Sequence, residues 1–157
     1  MVITGSHDRE CSCSSSQISK YMNRISGPLL DRIDIHIEVA PVKYEKLQND
    51  EPAESSHEIK KRVNAARKLQ YDRYKKYGIL SNSELTPKLI NKFCKLGDAE
   101  KSLLHDAFKK LGLSARAHGR ILKLARTIAD LEASDEIKAT HIAEAIQYRS
   151  LDRKFWS

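Results

Sequence analysis

Cysteine is scarce in this chain and its count is odd: Cys11, Cys13 and Cys94 are the whole complement of 157 residues. Three thiols do not make a disulfide framework, so a reducing cytoplasm is the expected compartment. Long apolar runs are missing too. No stretch approaches the roughly 18 residues that a membrane-spanning helix needs, and no charged start followed by an apolar segment marks a secretory leader, so no membrane partner is expected. Six histidines are present, but without an H-x₃-H pair or a partner nucleophile they give no support to a hydrolytic site. Aromatic residues make up 6%, and Met22 and the tyrosines fall at helical spacing, the pattern of core and not of a stacking platform for bases. The most informative absence is that of a G-x-x-x-x-G-K-[ST] phosphate loop, together with that of an apolar strand ending in paired acids to hold Mg²⁺. The chain by itself has no means of cradling ATP.

What is present is a core-forming composition, 40% hydrophobic and 31% charged, with Lys and Arg in excess and a net charge of +7. The excess is concentrated: His57–Tyr77 holds eight Lys/Arg against two acids, and Lys109–Arg126 holds six against none. Two such stretches point to phosphates, of nucleic acid or of a nucleotide, about as strongly as to two solvated helix faces.

Residues 1–8, with "MVITGSH", read as an expression scar and a disordered start. Ser14 and Gln17 then form a capping box, and Ile18, Tyr21, Met22 and Ile25 recur at helical spacing. Gly27 breaks that helix, Pro28 suits a first helical position, and a single turn carries Leu29, Leu30 and Arg32. Ile33, Ile35, Ile37 and Val39 alternate with Asp34, His36 and Glu38, which predicts a strand with one buried face, ended by Pro41. A lone strand cannot satisfy its own backbone and no second strand of similar quality follows, so residues 9–45 read as the end of a larger sheet. Residues 46–56 are polar, contain Pro52 and read as a linker.

Residues 57–157 are expected to be helical throughout. The first helix has a capping box at Ser55 and Glu58, runs through Ile59, Val63, Ala66 and Tyr74, and stops at Gly78. Thr86 and Pro87 start a second that ends at Gly97; Asp98 caps a third that ends at Gly112. Ser114 caps a fourth with Ala117, Ile121, Leu124, Ile128 and Leu131 on one stripe, and Thr140 caps a fifth with Ile142, Ala145 and Ile146 inward. Five helices with short connections make a bundle, and the fold class is mainly α.

Three features carry chemistry. Cys11 and Cys13 form a C-x-C pair, half of a tetrahedral zinc site, whereas Cys94 on an apolar helix face reads as core. Arg32 stands on the single turn before the predicted strand, where a surface ion pair with Asp31 or Asp34 is the bland reading. Arg116 stands in the first turn of its helix, where a cation opposes the macrodipole and is suited to meeting an anion.

"SGPLLDRIDIHIEV", "LSARAHGRILKLARTIADLE" and "IKATHIAEAIQYRSLDR" taken together resemble the C-terminal part of the magnesium-chelatase-like AAA+ ATPases, in their competence-associated branch of ComM/YifB type. The similarity runs from about Arg9 to Phe155. It implies a helical-bundle lid domain preceded by a short helix-strand remnant of the α/β core, in a parent that binds ATP and Mg²⁺ upstream. It also implies a homo-oligomeric ring, expected to be a hexamer, that remodels or translocates on DNA. In that family the arginine of "LLDR" is the arginine finger directed at the neighbouring subunit's ATP, which points to Arg32. The arginine of "LSAR" is similar to the sensor-2 arginine of the lid, which points to Arg116. Members often carry another cysteine pair upstream of "CSC", so Cys11 and Cys13 are candidates for half of a split metal site. The alternatives are the ATPase subunit of a metal chelatase and a free-standing helical DNA-binding module, the latter disfavoured by the orphan strand.

Overall fold

A computed structural model describes residues 12–30, 32–37, 39, 42 and 53–149. Its helices are α1 (Ser15–Met22), α2 (Gly27–Leu30), α3 (Ser56–Tyr74), α4 (Pro87–Phe93), α5 (Asp98–Leu111), α6 (Ala115–Leu131) and α7 (Ala139–Gln147), with 3₁₀ turns at Lys75–Tyr77 and Asn82–Glu84. The chain is mainly α, a helical lid-type bundle. α6 lies at its centre, packed against α3, α4, α7 and the turn Asn82–Glu84, while α5 covers α7. Ile121, Ala125, Ile142 and Ala145 are fully buried between α6 and α7. Burying an isoleucine of this kind stabilises by about 1.5–3 kcal/mol.

The helix signals act largely as their chemistry requires. Ser14 Oγ accepts the Gln17 amide at 3.3 Å while Gln17 Oε1 accepts the Ser14 amide at 2.9 Å, a complete capping box. Ser55 accepts from the Glu58 amide and Ser114 from the Ala117 amide, each the first bond that orphan amides of a helix start need. Gly78 at φ +69° and Gly112 at φ +54° sit in the left-handed region that a residue with a Cβ rarely adopts, and the chain turns there.

Several expected details differ. α4 ends at Phe93, before Gly97, because Gly97 is used as the N-cap of α5, with Asp98 inside the helix. α7 is capped at Lys138 and not at Thr140: the His141 ring accepts the Lys138 amide through Nδ1 at 3.0 Å and so does the work of a polar third residue. Leu131 is exposed at the far end of the α6 stripe, and Ile59 and Val63 are exposed because the first half of α3 projects beyond the bundle. Of the tyrosines, Tyr74 is core, but Tyr21 and Tyr71 are about half exposed. Ile25, read as part of the α1 stripe, is likewise exposed.

Residues 33–37 and 39 are irregular and form no strand among the described residues. The alternating residues Ile33, Ile35, Ile37 and Val39 have no buried face, with 41–83% of each exposed. The reason is the one that makes a lone strand untenable: among the described residues no neighbour offers a ladder, and backbone groups of Ile33 and His36 are taken up by the bundle. The His36 amide donates to Tyr148 O at 2.8 Å, and Arg149 donates to Ile33 O at 2.9 Å. Pro41, Cys11, most of the linker and residues 150–157 lie outside the described residues.

Candidate functional site

The first turn of α6 contains no acidic residue. Arg116, Arg120 and Lys123 follow one another at i, i+4 and i+7, and that spacing puts three cations on one side of the helix. They line an open groove of about 520 Å³ whose other walls include Asp34, Ser83 and Ile90. Gly119 lies among them with no side chain to fill the space; a Cβ there would stand 3.5 Å from Ile90 Cδ1.

The three cations have different commitments. Lys123 Nζ donates to Ser83 O at 2.7 Å, which ties α6 to the turn Asn82–Glu84. Arg120 donates to Arg32 O at 2.5 Å and also bonds the Asp34 carboxylate. Arg116 is exposed, and among the described residues no hydrogen bond or ion pair engages it. A cation in the first turn of a helix is electrostatically disfavoured by roughly 0.3–1 kcal/mol. With that cost and an open groove in front of it, Arg116 is the member of the trio suited to receive an anion.

Below the groove lies a buried polar network that fixes the orientation of α6. The Asp130 carboxylate, with none of its side chain exposed, accepts from Arg73 at 2.7 and 3.1 Å, from Arg126 Nε at 3.1 Å and from Asn82 Nδ2 at 2.9 Å. Tyr74 donates to Asn82 Oδ1 at 2.6 Å. Burial opposes the Arg73 charge, but its bonds to Asp130 and Tyr74 outweigh that and hold its pKa above the ordinary arginine value. Burial likewise pushes the Tyr74 hydroxyl up, with Arg73 offsetting part of the effect. The Cys94 thiol is pushed up to about 11 by burial, in keeping with a core residue and not a reactive one.

Arg32 is exposed, and its guanidinium donates to Pro28 O at 3.1 Å. The bland pairing with Asp34 is not made, because Asp34 faces Arg120. Arg32 thus meets the groove through its backbone, not its side chain. Cys13 is half-buried. Among the described residues no three His, Cys, Asp or Glu side chains converge on a point that could hold a metal ion. Nor is any of their helices long and apolar enough to cross a membrane. Arg120, Lys123 and Asp130 were not singled out by sequence reasoning. The spacing from Arg116 was visible, but inside a run of six cations it carried no mark that distinguishes one from another.

A helical lid-type bundle with a basic groove along its central helix is the class that fold and site define. The chain belongs to the magnesium chelatase family: the family model described as magnesium chelatase, subunit ChlI C-terminal, matches residues 53–149, and that described as magnesium chelatase, subunit ChlI, matches residues 3–47. It is 43% identical over 95% of its length to the uncharacterized protein YifB of Salmonella typhimurium. It is also 43% identical over 96% of its length to the competence protein ComM of Haemophilus influenzae. An uncharacterized protein of Mycobacterium tuberculosis is 26% identical over 90% of the chain. In each case the chain spans 28% of the relative's length.

Proposed function

We propose that this chain is the lid and the adjoining end of the core of a ring-forming AAA+ ATPase that acts on DNA. Arg116 serves the nucleotide of its own subunit and Arg32 that of the neighbouring one. The observation that carries the reading is the exposed Arg116, set against its own helix dipole on an open groove without a partner among the described residues. The resemblance of "LLDR" and "LSAR" to the finger and sensor-2 segments supplies the roles.

The residues present suit one part of such a nucleotide and not the other. Arg116, exposed on the groove while Arg120 and Lys123 are engaged by Arg32 O, Asp34 and Ser83 O, fits an anionic phosphate end. Nothing among the described residues fits Mg²⁺, for want of a donor set. ATP, when bound, supplies the phosphoryl group that is transferred. Arg116 would orient that group and offset its negative charge, and Arg32 would do the same across a subunit boundary. Arginine fingers of this kind contribute roughly 10³–10⁵ in rate in related phosphoryl transfers. The fixed guanidinium plane suits the role, since it keeps its charge at any physiological pH and presents paired donors to phosphate oxygens.

DNA as the substrate is supported by α3. Lys60, Arg67 and Lys68 lie on one face of that helix and are exposed. A relative named for competence is in keeping with this.

Hydrolysis by the full-length protein tests the reading. Arg32→Ala should reduce kcat by about 10³ or more while nucleotide affinity stays within a few fold, because its contact is made chiefly in the transition state. Arg116→Ala should weaken binding as well as turnover. Wild-type hydrolysis by Arg32→Ala would remove the finger assignment, and an ATPase indifferent to DNA would favour a protein-directed chelatase role.

A further inference from the structure

We infer that Arg120 is a positioning residue: it latches the segment that carries Arg32 to the lid helix that carries Arg116, so that the two arginines move as one piece. The inference rests on the proposed finger reading and adds to it the part that holds the finger.

The geometry is specific to five residues of the segment. Arg120 binds both Arg32 O and the Asp34 carboxylate, Arg149 binds Ile33 O, and Tyr148 O accepts the His36 amide. Four bonds therefore join residues 32–36 to the bundle, three received by the segment and one donated by the His36 amide. The partners lie 86–116 residues away in sequence along the side-chain contacts, so no local turn chemistry accounts for them. Arg149 is 1% exposed and belongs to the packed end of the bundle, whereas Arg120 has 30% of its side chain exposed at the groove. Of the two anchoring arginines, only Arg120 shares the groove with Arg116, one helical turn away.

A shift of α6 on occupation of the groove therefore carries Arg32 O and Asp34 with it. Small displacements matter, because misplacing a positioned group by about 1 Å can cost on the order of 100-fold in rate. Arg120 itself need not touch the nucleotide. It acts through Arg32, and so its loss should be felt at the neighbouring subunit's site and not at its own.

The 157-residue chain gives the first test, with the His36 amide as reporter. Arg120→Gln should speed hydrogen exchange at His36 by about tenfold or more, while Ile121 and Ile142 amides exchange as in the wild type. Unchanged exchange at His36 overturns the latch. General loss of protection in α6 and α7 overturns it equally, since it would make Arg120 a support of the core. Arg120→Lys keeps the charge but is shorter and lacks the planar guanidinium whose Nη1 serves both acceptors, and should fall between the wild type and Arg120→Gln.

Rings of the full-length protein give the second test. Arg120→Gln should lower kcat by about tenfold with KM within about twofold. Mixed with subunits that lack the phosphate-loop lysine, Arg120→Gln subunits should recover activity, because the lysine-deficient partner presents an intact finger to their intact nucleotide sites. Arg32→Ala subunits run in parallel separate the two ideas. If Arg32→Ala is rescued and Arg120→Gln is not, the latch is wrong and the finger stands. If neither is rescued, the finger reading fails and the latch with it.

Discussion

α3 and α6 look alike as sequence, two long helices crowded with lysine and arginine, and the fold treats them in opposite ways. α6 buries eight of its residues, Arg126 and Asp130 among them, and commits Arg120, Lys123 and Arg126 to named partners. α3 buries only Ala66, Gln70 and Tyr74, and leaves Ile59, Val63, Lys60, Arg67 and Lys68 to solvent. The difference lies in where the acids are. α6 carries Asp130, one turn after Arg126, and meets Asp34 from the preceding segment, so Arg126 and Arg120 can be neutralised on the spot. On the exposed face of α3, Asp72 stands one turn after Lys68 but bonds Lys75 at 3.1 Å, and among the described residues no acid pairs with Lys60, Arg67 or Lys68, which leaves their charge available to a partner. A basic run therefore marks a binding surface only when the fold leaves it unpaired.

The largest effect that would break this contrast is at Asp130. Asp130→Ala leaves Arg73 and Arg126 without their shared carboxylate, and should destabilise the chain by about 3–5 kcal/mol in urea unfolding. A loss below about 1 kcal/mol would mean that the committed cations of α6 are solvated after all. A smaller effect, on binding and not on stability, is expected from α3. Replacing Lys60, Arg67 and Lys68 together by alanine should weaken DNA binding by about tenfold or more and lower the salt slope by about three, with unfolding unchanged within about 0.5 kcal/mol. The same slope in the variant and the wild type would place DNA elsewhere. The smallest effect sharpens the picture of the groove. Gly119→Ala puts a methyl in ordinary contact with Ile90 and improves helix propensity, so it should stabilise by about 0.5–1 kcal/mol, read as a raised midpoint of unfolding.

Helix signals were legible where the chemistry is local. Ser14, Ser55 and Ser114 cap the helices they were expected to cap, and Gly78 and Gly112 turn the chain where a left-handed residue was expected. Thr140 misled because a histidine three residues after Lys138 could fill the capping role, and nothing in residue type announces that. The apolar spacing of α3 misled for a different reason: Ile59 and Val63 have helical periodicity, but burial depends on how far the bundle reaches along the helix. At the site, Arg32 and Arg116 could be singled out through motifs. Arg120 could not, because its partners Arg32 O and Asp34 are far from it along the chain and only the fold brings them together.

The anchoring of residues 32–36 by the far end of the chain also sets a timetable for synthesis. Ile33 is separated by 116 residues from the Arg149 that holds it. At roughly 5–20 residues per second on the ribosome, that segment waits about 6–23 s after translation before its last fastening exists. Throughout that interval the nascent chain carries Arg32 on an incompletely fastened segment, since Arg120 emerges before Arg149. On the proposed reading, a chain whose Arg149 is not yet made cannot hold a finger fully set for a neighbour.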